Sequence, residues 1–309
     1  MFDPAWLNPI IAFAVGIILA FNLRKVFARV QSRRGPLLWM PSRWQDINRS
    51  KLLQPLYDII KLFSKQTIIP HTASALFIWS PIFACICALS VTLFVPVAGN
   101  SFDYSFSLVV IFYLLVFVTL FVIVGGISSA SLFAAMGGVR EVELMLANEI
   151  PFILGTFALA ISYKTLSIQH MMGFNLLWNP FAAVAVFIAI LVKLHIKPFD
   201  IPEAESEIVG GLTTEYSGKL LGTLEIVKLV MLFTLSALFV DLFLWVPSTG
   251  LMSWVVFIIG ILLVGAAIGF VNALFARFRI DQATRWLFRI STLISLLAIG
   301  WAVLGAYIL

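Results

Sequence analysis

Apolar stretches of bilayer length recur along this chain, separated by connections marked with glycine or proline. A helix rising about 1.5 Å per residue needs roughly 20 apolar residues to cross a hydrocarbon core. Segments of that length fall at 5–23, 74–97, 104–126, 144–164, 174–192, 220–245, 251–273 and 290–309. The pattern predicts an all-α polytopic membrane protein, a single membrane domain over 1–309 with about eight transmembrane helices. An even number of crossings puts both termini on one side. One connection carries a different period. In LLQPLYDIIKLFSKQ, Leu52, Leu56, Ile59, Ile60 and Phe63 recur at helical spacing, while Asp58, Lys61 and Lys65 take the other face. Pro55 suits a first helical turn. Residues 54–66 therefore read as an amphipathic helix in the membrane interface, either a surface anchor or a lid over a cavity.

Composition narrows the class. Of 309 residues, 61% are hydrophobic and 11% charged, against roughly 25% charged in a soluble domain. A soluble core of this size has no use for so much apolar surface. The opening MFDPAWL lacks the basic stretch of a cleavable signal, so 5–23 reads as a retained first span. Cys85 and Cys87 have no companion Cys or His nearby and read as small core residues.

Lysine and arginine then orient the spans. Half of the 20 lie in the connection 24–66. Arg140, Lys193, Lys197, Lys219, Arg277, Arg279, Arg285 and Arg289 fall on the same side, Lys164 stands alone opposite, and Lys228 lies within a span. This asymmetry assigns the charged side to the cytoplasm and both termini to the outside. It also accounts for the net charge of +5 without nucleic acid.

Acidic residues supply the candidate chemistry. The segment KPFDIPEAESEIVGGLTTEYSG, 197–218, holds Asp200, Glu203, Glu205, Glu207 and Glu215 between two membrane spans. Carboxylates so close repel, so some are expected to bind protons near neutrality, which suits proton relay. Ile201, Ala204, Ile208 and Val209 alternate with them, which predicts partial burial of the run. Two spans also have charge-free cores too short for a bilayer, 150–163 and 229–240. Glu149 is thus expected inside the fourth span, with Glu141 and Glu143 at its mouth, and no basic residue lies one turn from Glu149. Glu225 and Lys228 are expected inside the sixth, three residues apart on one face and close enough to pair. Ionisable groups at membrane depth cost a few kcal/mol; they serve an ion path or form a neutralised pair that fixes packing.

The run PFD, EAE-x-E and EYSG resembles the signature of the quinone-chamber membrane subunit of respiratory complex I, and of the homologous subunit of energy-converting membrane-bound nickel–iron hydrogenases. RRGP at 33–36, QPLYDIIKL at 54–62 and ARFRIDQ at 276–282 are similar to further family segments, in the same order. GGVREVELMLANEIP, with Arg140-Glu141 and Glu149-Ile150-Pro151, is more similar to the hydrogenase branch. The residues His195 to Pro198 depart from the Arg-Ala-Pro that precedes Phe-Asp in complex I members. The stretch 37–51 lengthens the first connection, and no role is assigned to it.

The resemblance implies a membrane-anchor and coupling subunit in a prokaryotic plasma membrane. Peripheral partners carrying Fe–S clusters and a nickel–iron centre would dock on the cytoplasmic connections, at Arg33, Arg34, Asp58, Lys61, Arg140, Arg277, Arg279 and Asp281. Antiporter-like membrane subunits would lie alongside. The acids named above and Lys228 would form a proton relay; Glu149→Gln and Glu205→Gln are expected to impair ion translocation more than assembly. A quinone- or other acceptor-reducing relative is the alternative, including a ferredoxin-linked sulfane reductase, with any quinone held between the amphipathic helix and the first and sixth spans. A stand-alone transporter would show two similar halves, and none is visible. His71, His170 and His195 are scattered, so no metal site or cofactor is expected in this chain.

Overall fold

The computed structural model describes residues 4–33, 35–36, 52–245 and 250–308; Arg34 and the 37–51 stretch lie outside the described residues. The helices are α1 (Asn8–Val30), α2 (Gln54–Ser64), α3 (Leu76–Phe94), α4 (Ser107–Ile127), α5 (Leu132–Tyr163), α6 (Pro180–Lys193), α7 (Gly218–Phe239), α8 (Leu251–Leu274), α9 (Ile280–Trp286) and α10 (Thr292–Ile308). A π turn, Val240–Leu244, extends α7, and another, Leu287–Ser291, joins α9 to α10. Seven of these segments are long and apolar enough to cross a membrane: α1, α3, α4, α5, α7, α8 and the continuous α9–α10. The protein is all-α and polytopic, with no strand among the described residues.

The expected fifth span is the exception. α6 has 14 residues, a rise of about 21 Å, because Asn179 caps it and Pro180 starts it. The Asn179 side chain accepts from the Ala182 amide at 3.1 Å and donates to the Ala298 carbonyl at 3.0 Å. The crossing is completed by irregular chain packed on the end of α7, where the Gly173 and Leu176 amides donate to the Asp241 and Phe243 carbonyls. Non-helical backbone at membrane depth survives only with such protein partners.

Contacts between connections sort the helix ends into two groups. One end joins the start of α1 to the α3–α4 connection (Asn8 to the Asn100 carbonyl) and the start of α8 to the same connection (Ser253 to the Ala98 carbonyl). It also joins α10 to the approach of α6 through Trp301 and the Trp178 carbonyl. The other end gathers the C-terminus of α1, α2, the start of α5 and the acidic connection 194–217. The first and last helices thus begin and finish at the same end.

Three helices start or stop away from their expected limits. α1 continues to Val30. α5 begins at Leu132 rather than near 144, so its 32 residues span about 48 Å and project beyond a hydrocarbon core of about 30 Å. Much of the expected 128–140 loop is therefore helix, as is 280–289, expected as connection. Glycine permits the first of these extensions. A Cβ on Gly137 would stand 2.9 Å from the Gly211 Cα, so the projecting turn of α5 lies directly on the acidic connection. Gly211 itself has φ +56°, and a Cβ there would meet the Pro202 carbonyl oxygen at 2.0 Å.

α7 is the central helix, buried almost continuously from Leu229 to Phe243. α2 lies across it and α1: Ile59 is buried with Ile17 and Leu229, while Tyr57, Ile60 and Phe63 are exposed.

Candidate functional site

The acidic connection is held down by its apolar residues. Phe199, Ile201, Ala204, Ile208 and Leu212 are all buried, and Phe199 packs its ring 5.8 Å from both Phe278 and Trp286. Burying one such side chain stabilises by about 1.5–3 kcal/mol, enough to fix where the neighbouring carboxylates point. Val209 departs from the expected alternation: it is 60% exposed, at a left-handed φ of +55°.

Three acids of this run each meet a different element. Asp200 accepts from Arg277 at 2.7 Å, beside α9. Glu207 accepts from Arg140 of α5, also at 2.7 Å. Glu203 accepts from Lys228 of α7 at 2.9 Å and stands 3.5 Å from the His195 ring. Glu215 is half-buried without a partner among the described residues, and the Glu205 side chain lies outside them. The carboxylates are therefore not the mutually repelling cluster expected from their spacing. Cations separate them.

His195 is the residue that sequence reasoning passed over. It follows α6 with a left-handed φ of +50°, a conformation uncommon for large side chains. That turn places the imidazole between two acids: Nε2 is 2.8 Å from Glu141 Oε2, and Nδ1 is 3.5 Å from Glu203 Oε1. Burial alone would lower the imidazole's proton affinity. The Glu141 carboxylate, with Glu203 behind it, outweighs burial and raises its pKa to about 10. Glu203 is likewise penalised by burial, yet His195 and Lys228 hold its carboxyl well below the usual range. Glu203 is thus not one of the acids protonated near neutrality that the spacing predicts.

These groups line one cavity of about 310 Å³. Its walls are Ala20, Leu23 and Arg24 of α1, Val118 and Val122 of α4, Glu141 of α5, and the Leu224–Leu232 face of α7. The first and sixth spans contribute as expected for a quinone-type pocket, but α4 and α5 take the place of the amphipathic helix, which supplies no lining residue. Lys193 also faces this space and ion-pairs with Glu149, its ammonium 5.0 Å from the Phe152 ring. The basic partner missing from the neighbouring turns of α5 thus comes from α6. Glu225 and Lys228 do approach each other, at 3.9 Å. Both are about two-fifths exposed, at 42% and 41%, so they sit at the mouth of the cavity rather than deep in α7.

An ion-paired series therefore runs Glu225, Lys228, Glu203, His195, Glu141 across three elements. Glu143 stays outside it, exposed on α5. Arg33, Asp58 and Lys61 are exposed at the same end of the molecule, as are Arg279 and Asp281, 3.9 Å apart. The tyrosine of EYSG, Tyr216, stacks on Phe77 at 4.2 Å and donates to its carbonyl at 3.2 Å; burial pushes its pKa up. Asp241 was also missed. It is fully buried in the π turn at the far end of α7, and neither carboxylate oxygen has a hydrogen-bond partner. No group of three or more His, Cys, Asp and Glu among the described residues is arranged to hold a metal ion.

Comparison with known proteins agrees along the whole chain. Residues 5–303 match the family model described as NADH dehydrogenase. The H chain of the NADH-quinone oxidoreductase of Geobacillus thermodenitrificans (strain NG80-2) is 31% identical over 321 residues, covering 96% of this chain and 94% of the relative. The corresponding chain of Geobacillus sp. (strain WCH70) is 31% identical over 266 residues, 79% of this chain and 78% of the relative. Among solved structures, a chain of the membrane-bound sulfane sulfur reductase, an archaeal respiratory membrane complex, superposes with a TM-score of 0.84 at 28% identity, covering 96% of this chain and 98% of its own. With its helices, its signature segments and both comparisons in agreement, this chain belongs to the NADH dehydrogenase family, as a multi-pass plasma-membrane subunit of complex I type.

Proposed function

We propose that this chain is the membrane-anchor and coupling subunit of a respiratory energy-converting complex. It links ferredoxin-driven redox chemistry in a peripheral arm to proton or sodium translocation. The observation that carries this reading is the series Lys228–Glu203–His195–Glu141 lining one cavity at the end that gathers the charged connections, with Glu225 beside Lys228. Positive-inside bias puts that end in the cytoplasm and both termini outside. Peripheral subunits dock there, on Arg33, Arg34, Asp58, Lys61, Arg140, Arg277, Arg279 and Asp281, and they carry the Fe–S clusters and the nickel–iron centre. This chain holds no cofactor of its own. Antiporter-like membrane subunits complete the assembly.

The mechanism follows from electrostatics. An electron arriving near the cavity mouth adds negative charge close to ion pairs only partly screened by water. His195 lies between two carboxylates, so the added charge shifts the balance between Glu203–Lys228 and Glu141–His195. A proton or a side chain moves in response. Glu149–Lys193 passes the change on, and Asp200, Glu143, Glu205, Glu207 and Glu215 tune it from the loop and its rim.

The hydrogenase assignment rests on the resemblance of GGVREVELMLANEIP, with Arg140-Glu141 and Glu149-Ile150-Pro151, to that branch. A second reading, reduction of a sulfur compound or a quinone, is favoured by likeness to the sulfane sulfur reductase chain. The test is the native complex in proteoliposomes carrying Glu203→Gln, Glu149→Gln or Glu205→Gln. Intact electron transfer with ion uptake reduced about tenfold, ~1.4 kcal/mol, is expected. Normal pumping in all three would sink the coupling role. Nickel and hydrogen evolution in the purified complex separate the two acceptor readings.

A further inference from the structure

A second cavity, of about 510 Å³, opens beside the first at the charged end, between the last turns of α1 and α8 and the start of α2. Arg24, Arg33, Gln54 and Asn272 supply its polar lining, Phe27 and Pro36 its apolar face, and no carboxylate among the described residues lines it. Two cations lie over the Phe27 ring, the Arg33 guanidinium at 5.6 Å and the Lys197 ammonium at 5.8 Å. Lys25 is tied back to the Pro36 carbonyl at 3.0 Å.

Arg24 is the telling residue. Its Nε donates to the Ala20 carbonyl and its Nη1 reaches Gln54 at a long 3.4 Å, while Nη2 is buried with no acceptor. Asp58 is the carboxylate whose charge reaches it. An unsatisfied buried guanidinium nitrogen costs more than a neutral donor, and a guanidinium fork matches a phosphate in geometry.

We propose that this cavity binds the phosphate of an anionic phospholipid, between Arg24 and Arg33. Three observations favour a lipid over an acidic segment of a partner protein. The cavity sits at the final turns of two membrane helices, which is headgroup depth. Val30, Phe270 and Leu274, at the same helix ends, are exposed and offer apolar surface to acyl chains. Basic pockets between transmembrane helices on the positively charged side bind anionic headgroups as a class. The lipid would brace α1 against α8 and α2 at the rim of the ion-paired cavity.

The native complex, purified through this subunit and stripped of lipid with detergent, provides the test. Its unfolding temperature is followed against dioctanoyl-phosphatidylglycerol, dioctanoyl-phosphatidylcholine and inorganic phosphate. Phosphatidylglycerol should stabilise the wild type in a saturable way, and Arg33→Gln should weaken its apparent affinity about tenfold, ~1.4 kcal/mol. Phosphatidylcholine and phosphate should do little. Equal stabilisation by phosphate would replace the lipid with a free oxyanion. Stabilisation by neither, or an unchanged phosphatidylglycerol response in Arg33→Gln, would overturn the site. Loss of peripheral subunits from Arg33→Gln with its lipid response intact would make the cavity a protein dock instead. Arg33 is exposed, so this variant keeps the test open even if Arg24→Gln fails to assemble.

Discussion

The two ends of this helix bundle are closed by different chemistry. At one end, connections meet through ions: Asp200–Arg277, Glu207–Arg140, Glu203–Lys228 and His195 between Glu141 and Glu203. At the other, most closing contacts are neutral side chains donating to backbone carbonyls, Asn8 to Asn100, Asn175 to Leu242, Asn179 to Ala298 and Ser253 to Ala98. The one charged contact there among the described residues, His170 with Asp103, is a loose 3.7 Å. A neutral hydrogen bond stabilises by about 1 kcal/mol and is indifferent to a charge placed nearby. A partly buried ion pair responds to charge and to pH, and loses several kcal/mol when one partner goes. The bundle is thus fixed at one end and responsive at the other. A coupling subunit requires that division, because the redox event has to move something at one end without loosening the whole.

The sharpest way to break the comparison is to take the cation out of the ionic end. His195→Leu leaves Glu141, 7% exposed, facing an apolar group. The expected cost is about 3–5 kcal/mol of stability, as for breaking other buried pairs, read as a lowered unfolding temperature of the complex. Adding Glu141→Gln should restore much of it. Failure of the double variant to recover would mean that the loss came from packing and not from an orphaned charge.

Titration asks the same question more gently. The His195 pKa is raised in the folded chain, so its contribution is complete below the unfolded value near 6.5 and is lost as pH climbs through about 10. The Glu203 pKa is lowered, so its contribution is present above the ordinary glutamate range and fails only in strong acid. Stability attributable to this series should therefore be fullest just below about pH 6.5 and decline steadily from there toward about pH 10. The difference between wild type and His195→Gln isolates it from other groups. A difference that instead grows between about pH 5 and 7 would mean that the ring is neutral in the fold.

The architecture was largely legible in the sequence because bilayer solubility is a local property. Twenty apolar residues in a row announce a span whatever their neighbours are. Helix limits were less legible. The projecting part of α5 contains Gly137 and Gly138 and the charged Arg140 to Glu143, a poor membrane segment by composition; Gly137 seats it on Gly211 and Gly138 lets it approach Ile127. The acids were found as a group, but their partners were not. Lys193 and His195 stand more than 40 residues from Glu149 and Glu141 along the chain, and no periodicity links them. A signal did exist: a histidine and a lysine two residues apart at a span's end, facing a run of acids, is a compact source of counter-charge. Asp241 was visible as the charge that ends the 229–240 stretch, yet nothing in the sequence showed that it would be buried without a partner.

The neutral end should answer mutation differently. Asn179→Ala removes the cap of α6 and the bond to α10, and leaves the Ala298 carbonyl without its donor. A loss of about 1–3 kcal/mol is expected, read in the same unfolding assay. The loss should not vary between pH 6 and pH 9 (roughly), and redox-driven ion uptake should not change in the complex that assembles. A pH-dependent loss would show that this end is not electrostatically quiet.

Asp241 is the smallest and most informative test, because it is a fully buried carboxyl without a partner at the end where neutral bonds predominate. Neither of its oxygens is bonded, and it is fully buried in the π turn of the central helix; π turns often mark functional positions. Asp241→Asn keeps the shape and removes the acid. If the neutral end only fixes the bundle, the variant should match the wild type or gain up to about 1 kcal/mol, since an unpartnered buried carboxyl is a cost without return. Ion uptake should then be unchanged. Stability held or raised together with lost ion uptake would give Asp241 a place on the ion path. The responsive part of the molecule would then extend along α7 from Lys228 to its far end, and the division between the two ends would lie around that helix instead of across it.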